Sequence, residues 1–386
     1  LLISGLLALS GALATPSVHG EEPASLVVIA DNLITLDDEQ PSAEALAARG
    51  EEIVAVGPAA EMRKLIGPET VVIEAAGRVV VPGFNDAHIH PSPLYDEMSP
   101  WGKVNCRPSA TPTLEALITR LREKAAKTPP GQWVRGSRYE DTKLGGHPTR
   151  EDLDRVSTEH PVLIGHSSGH VAACNSYALH AAGIDASSPD PKGGRFDRDA
   201  DGVPNGVLRE SAVGIVSSAG PESPSPDTAT WIKALHRQFD EYLAAGITSI
   251  QHAGTSLSTV DRYRRAQAAR RQVRIYAMLR SSEIEELEER IATQGRGDDW
   301  LQLGGIKTFH GNSLSGQTCW LSEPYADRPD YFGIPPSRSR ESLIRLVSRI
   351  HDAGLQACIH ANGDREIAMV LDAYEEVLAR SPRPDH

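Results

Sequence analysis

His88 and His90 stand two residues apart in Val81-Pro-Gly-Phe-Asn-Asp-Ala-His88-Ile-His90. Alternate residues of a strand point to one side, so both imidazoles can reach a single metal ion from the strand's end while Ile89 faces the wall. A structural pair of histidines is the alternative for an isolated His-x-His, and the flanking Pro-Gly-Phe and Asp86 favour the metal. Lys307, in Gly305-Ile-Lys307-Thr-Phe, offers a second kind of ligand. An ammonium cannot bind a cation, but a buried lysine of depressed pKa can be neutral. It can then react with carbon dioxide and present a carbamate that bridges two metals; a lysine snorkelling out of a strand is the plain alternative. His360 closes the apolar run Leu355-Gln-Ala-Cys-Ile-His360, where a metal ligand and a core histidine are both open.

A competing signal is Val162-Leu-Ile-Gly165-His-Ser167-Ser-Gly169, a complete G-x-S-x-G after an apolar strand. A nucleophile elbow would make Ser167 the nucleophile of a serine hydrolase. The preceding sequence lacks the strands that such a sheet needs. Asp197-Arg-Asp199-Ala-Asp201-Gly202 imitates a calcium loop, yet Leu208 holds the position that requires a bidentate glutamate. A hairpin with an Asp-Gly turn accounts for it better. Gly311 to Gly316 lacks a following Lys-Ser/Thr, so no phosphate loop is expected. Cys106, Cys174, Cys319 and Cys358 are widely spaced and include no C-x-x-C pair; they read as small, mostly buried residues.

The elements that must position these groups fall into three regions. Short strands at Leu26–Ala30, Leu33–Leu36, Ile53–Val56 and Val71–Ile73, punctuated by glycines, predict a small β domain over residues 25–80. From about residue 230 a unit repeats: an amphipathic helix, a glycine just past its end, then a strand closing on histidine. Trp231, Leu235, Phe239, Tyr242 and Leu243 share a helical face before Gly246 and Ile247–His252; Leu343, Leu346, Val347 and Ile350 do so before Gly354 and Leu355–His360. Strands at Val273–Leu279 and Leu303–Phe309 and helices at Ile284–Ile291 and Glu366–Leu378 complete a serial βα pattern, that of a parallel barrel or doubly wound sheet. Residues 95–229 break the rhythm and read as an insertion.

Of the 386 residues 52 are acidic and 39 basic, a net charge of -13, with 40% hydrophobic and 5% aromatic residues. No basic stripe is available to neutralise phosphates, so nucleic acid and anionic membranes are not expected partners. The apolar start, with Ala12-Leu13-Ala14 as a small-x-small cleavage site, predicts part of a signal peptide over residues 1–20. Export to the periplasm or medium follows, without a stable membrane anchor. The end at Ser381-Pro-Arg-Pro-Asp-His386, directly after a helix, suggests a fragment.

With Pro82 to His90 matching a strand-entry motif Pro-Gly-Phe-x-Asp-x-His-x-His, the sequence resembles the amidohydrolase superfamily, and within it the YtcJ-like amidohydrolase family 3, from about Ser25 onward. The resemblance implies an α/β fold: a (β/α)8 TIM-type barrel, incomplete at its C-terminus, over residues 81–386, beside a small N-terminal β-sandwich domain. Gly246-Ile-Thr-Ser-Ile-Gln looks like barrel strand two and Arg274–Leu279 like strand three, with Lys307 on strand four and His360 on strand five. It implies metal at His88, His90, Lys307 (commonly carboxylated) and His360: one or two zinc ions, with iron, manganese or nickel also suited. A sixth-strand histidine and a catalytic eighth-strand aspartate would lie beyond this chain, and no residue here is assigned as catalytic. His166, His170, Asn175, Glu210 and Ser313 are the substrate-side candidates. The expected reaction is hydrolysis of a non-peptide amide or cyclic amide in a small molecule by a metal-activated water; a noncatalytic binding or regulatory protein on the same fold is the third reading. A homodimer is allowed. One departure stands out: the family's frequent Lys-x-x-x-Asp-Gly-Ser reads Lys307-Thr-Phe-His-Gly311-Asn312-Ser313, with glycine in place of the acid.

Overall fold

The computed structural model describes residues 22–222, 224–314 and 316–384. The signal-peptide reading of residues 1–20 lies outside them. Two compact units divide between Phe84 and Asn85.

The first unit is one four-stranded sheet in the order β3-β2-β1-β4, with β1 Leu26–Ile34, β2 Ser42–Arg49, β3 Glu52–Gly57 and β4 Val71–Val80. β1 and β2 pair antiparallel, as do β2 and β3, while β4 lies parallel to β1. Among the described residues no second sheet accompanies it, so the expected sandwich is represented by a single layer. The short helix α1 Ala59–Met62 places Met62 against Val27, Ile29, Ala45 and Ala47. β2 is absent from the sequence expectation because Ser-Ala-Glu-Ala-Leu-Ala-Ala-Arg has the composition of a helix. Pairing to both neighbours overrides that propensity, and Ala45 and Ala47 turn alternately inward.

The second unit begins within β5 Phe84–Ile89, at Asn85. An inserted layer structure follows: β6 Val104–Asn105, α2 Leu114–Ala125, β7 Val134–Tyr139, α3 Asp141–Leu144, α4 Arg150–Asp154, β8 Val162–His166, β9 Val171–Cys174, α5 Ser176–Ala181, β10 Gly194–Arg198, β11 Pro204–Glu210 and α6 Ser211–Ala219. Its six strands form a sheet of their own, β10-β11-β9-β8-β7-β6, parallel over β6 to β8 and antiparallel from β8 onward. Each face has a separate core: Val162 and Ile164 point toward α2, and Leu163 points to Leu179, Phe196 and Val216. That alternation is the period-two signature of a strand buried on both faces. β10 and β11 make the hairpin expected at Asp199–Gly202, and Asp197 pairs with Arg195 and Arg209.

The chain then runs α7 Thr228–Ala244, β12 Ile247–Thr255, α8 Leu257–Ala269, β13 Arg274–Arg280, α9 Ile284–Gln294, β14 Leu301–Phe309, α10 Arg340–Asp352, β15 Gln356–His360 and α11 Asp364–Arg380. The sheet order is β15-β14-β13-β12-β5, with β12 to β15 mutually parallel. Leu235, Phe239, Val260, Tyr263 and Leu287 of the covering helices pack on Ile250, Ile275, Leu279, Leu303 and Ile306. Gly246 and Gly354 adopt φ of +81° and +68° just past α7 and α10, the left-handed stop that lets each helix turn back into a strand. The four cysteines are free, with Cys106, Cys174 and Cys319 buried. No helix of the described residues is long and apolar enough to cross a membrane.

Candidate metal centre and its surroundings

Four sequence-identified side chains gather at the sheet. His88 and His90 leave the end of β5 with ring centroids 5.3 Å apart. Lys307 lies within β14, paired with Cys358, and His360 ends β15 opposite Phe309. Lys307 is 5% exposed, its ammonium sits 5.3 Å from the Phe309 ring centroid, and it has no hydrogen-bond or ion-pair partner among the described residues. Gly254, at φ +111°, makes room beside it: a Cβ there would lie 3.4 Å from Lys307 Cγ.

Burial lowers the pKa of all four groups. For His88 the next cause is Lys307, with Asp86 opposing. For His90, burial is followed by His88, Lys307 and His360. Burial of His360 is partly countered by its bond to Asn312 and reinforced by His170 and Lys307. Burial of Lys307 is opposed by Cys358. Lys307 thus acts on all three imidazoles, which favours neutral rings with available lone pairs. His360 Nε2 donates to the Asn312 carbonyl at 3.0 Å, which leaves Nδ1 as its free lone pair. The Asp86 carboxylate accepts the His88 backbone N–H at 3.1 Å. Among the described residues no three His, Cys, Asp or Glu side chains form a metal cage by themselves. The donor set nevertheless fits a divalent cation: borderline-soft nitrogen ligands, and a partnerless lysine whose charge burial opposes.

His252 on β12 belongs to this neighbourhood and was not singled out as a site residue. Its ring centroid is 6.3 Å from that of His90, and Nδ1 shares a 2.9 Å hydrogen bond with Tyr263 Oη. The signal that could have found it is the one that marked His360, a helix-glycine-strand unit closing on histidine.

The substrate-side candidates separate into three fates. His170 stacks on His360 with centroids 5.1 Å apart at 26°, and its Nδ1 donates to Glu210 Oε2 at 2.7 Å. Glu210 also accepts from Thr318 Oγ1 at 2.5 Å, and its backbone sits at φ +53°, ψ -120°, a strained conformation for a residue with a side chain. The inserted sheet therefore presents a His–carboxylate pair to the face of His360. His166 joins a different cluster: Nε2 meets Asp141 at 3.0 Å, Nδ1 meets Ser168 Oγ at 2.8 Å, and Tyr139 and His147 pack around its ring. A cavity of about 400 Å³ opens on this cluster beside Arg209 and Gln317.

Asn175 is held in the core of the inserted layer. It is fully buried, Oδ1 accepts from the backbone N–H groups of Val162 and Ala178, and Nδ2 donates to the carbonyls of Ser157 and His160. Its capping of α5 explains its presence. Asn175→Ala is expected to lower unfolding stability by about 2–4 kcal/mol, by leaving buried partners unpaired, while KM stays unchanged; chemical denaturation and steady-state kinetics check both. Ser313 is buried and its Oγ accepts the Gly316 N–H at 3.1 Å, so it serves the loop after β14.

Ser167 is not at a nucleophile elbow. Gly165 to Gly169 turns from β8 directly into antiparallel β9 instead of into a helix, and the hydroxyl against His166 belongs to Ser168. The glycine at position 311 has a steric cause: a Cβ there would lie 2.3 Å from Glu366 Oε2 and 2.6 Å from Ala361 Cα.

His147 and His252 set an acid limit on stability. Burial, then Arg209, lowers His147 to about 4 against the pull of Asp141; burial, then His90 and Arg280, lowers His252 to about 4. The unfolded imidazole titrates near 6.5. Between these values the unfolded chain binds protons that the folded chain refuses, so this contribution is fully present above pH 6.5 and is lost as pH falls toward 4. Denaturant midpoints should drop steadily across that window, and His147→Gln should flatten the profile.

Helix-backed parallel strands with polar side chains at their C-terminal ends define a protein of the α/β barrel class, with its cluster where that architecture carries its sites. The chain belongs to the amidohydrolase family, whose model matches residues 71–386. N-substituted formamide deformylase of Arthrobacter pascens is 30% identical over 366 residues, 92% of this chain and 66% of that protein. YtcJ of Bacillus subtilis (strain 168) is 27% identical over 363 residues, 92% of this chain and 66% of its own length. The crystal structure of an uncharacterized metal-dependent hydrolase from Pyrococcus horikoshii OT3 has a TM-score of 0.66 at 23% identity, covering 91% of this chain and 68% of that one. The fold is thus TIM-like. The chain spans just under two thirds of the length of the curated relatives described.

Proposed function

We propose that the protein is a metal-dependent hydrolase of non-peptide C–N bonds in small amides or cyclic amides, with a divalent cation held by His88, His90, Lys307 and His360. The observation that carries this reading is the gathering of three imidazoles of lowered pKa around a buried, partnerless lysine. The cation would supply Lewis-acid polarisation of the scissile carbonyl and an acidified water. The chain's own residues prepare that chemistry. Asn312 holds the His360 tautomer. Lys307, in neutral form, can take up carbon dioxide and become an anionic ligand. His170, fixed by Glu210 over the face of His360, borders the space a substrate would enter.

Zinc is the first metal to test and an N-substituted formamide the first substrate, the latter because a relative of that named activity shares most of this chain. Export through the apolar start, and a homodimer, belong to the same proposal. Hydrolysis that disappears with a chelator and returns with zinc supports the reading; turnover indifferent to chelation overturns it. The serine-hydrolase reading requires fluorophosphonate labelling of Ser167, and absence of labelling removes it. A noncatalytic protein would bind metal yet turn over none of an amide panel.

A further inference from the structure

The inserted layer, the segment after β5 and residues after α6 line an open cavity of about 730 Å³. Its wall includes Tyr95, Met98, Trp101 and Trp133 together with Lys103 and Arg135. This size is in the range of cavities that take drug-sized ligands. None of these residues belongs to the metal neighbourhood.

The charge balance at this cavity is unusual for a chain of net charge -13. Lys103 has no hydrogen-bond or ion-pair partner among the described residues. Arg135 stacks its guanidinium 4.3 Å from the Trp133 ring centroid and spends one N–H on the Ser217 carbonyl at 3.2 Å, with no carboxylate against it. The two cations are close enough that Arg135 lowers the pKa of Lys103, after burial, which is the larger cause. Lys124, also at the wall, is committed to the carbonyls of Glu97 and Ser99. One carboxylate, Glu222, lines the cavity and pairs with neither cation.

Like charges left unpaired beside one another cost free energy unless an anion joins them. Flat indole and phenol faces favour a flat apolar body.

We propose that this cavity is a binding site for an organic carboxylate with an aromatic or similarly flat apolar body, its carboxylate between Lys103 and Arg135 and its ring against Trp101 and Trp133. The site is separate from the metal centre.

The test is titration of the chelator-treated protein with 4-phenylbutyrate and with its neutral isostere 4-phenyl-1-butanol, followed by tryptophan fluorescence and calorimetry. Chelator treatment removes carboxylate binding to a metal. Saturable binding of the acid is expected, with the alcohol weaker by about tenfold or more, the value of one hydrogen bond to a charged group. Lys103→Gln should remove that preference, and Trp101→Phe should reduce the fluorescence response without changing the calorimetric stoichiometry. Lys103 makes no hydrogen bond or ion pair among the described residues, so its replacement by glutamine removes no partner from the fold, and thermal melts of the variant check this. Equal affinity for acid and alcohol overturns the carboxylate assignment. Absence of saturable binding, or an acid affinity unchanged in Lys103→Gln, overturns the site.

Discussion

Lys307→Met is expected to abolish turnover, lowering kcat/KM by at least about 10³-fold, and to reduce bound metal, while the metal-free protein melts at the same temperature as wild type or higher. The two halves of this result have one cause. Lys307 is buried without a partner, and burial opposes its charge. A side chain in that position costs stability in its charged form, so an apolar replacement of similar length removes a penalty. Such a cost is retained where function demands it. Outer partners of metal ligands are worth about 10–100-fold, so a ligand itself should be worth more. Metal analysis and thermal melts on the same preparations check the prediction. A variant with full metal content and full activity would show that the lysine merely packs.

Glu366→Ala is expected to have the largest effect on stability, a loss on the order of 3–5 kcal/mol. The Glu366 side chain is fully buried and accepts four backbone N–H groups: Asn312 at 3.1 Å, Trp320 at 2.9 Å, Asn362 at 3.1 Å and Gly363 at 2.7 Å. It thereby ties the loop after β14 to the turn between β15 and α11. That loop carries the Asn312 carbonyl that orients His360, so the variant should lose metal affinity as well as stability. Denaturant unfolding and metal titration test the two consequences. Gly311→Ala attacks the same junction by driving a methyl group into the carboxylate and against Ala361 Cα, and only the part of its cost due to the carboxylate should disappear when Glu366 is already alanine.

The local features of this protein were legible because they depend on near neighbours. The His-x-His spacing places two rings on one side of β5 wherever the strand lies, and the apolar stripes before Gly246 and Gly354 specify helices that end in left-handed stops. Lys307 and His360 were recognisable from the strands that hold them. β2 was missed because alanine-rich strands lack a local signal until both edges are paired. The sheet of the insertion was illegible for a related reason: its order β10-β11-β9-β8-β7-β6 joins strands through pairings that no periodicity announces.

Asn175 and His170 show the same division within the site. Both lie in one short stretch and both were candidates for substrate contact, yet one caps a helix in the core and the other stacks on His360. Their difference comes from which strands flank them and from Glu210, 40 residues away from His170 in the chain. Sequence by itself determined the kinds of donor, their spacing on single strands and the family. Tertiary structure alone decided which imidazoles share a neighbourhood with Lys307, that Glu366 fills the space beside Gly311, and that two unpaired cations face an aromatic cavity. The physical reason is that burial, and the electrostatic and hydrogen-bond terms that depend on it, are properties of contacts between distant segments, and these exist only once the sheets have closed around them.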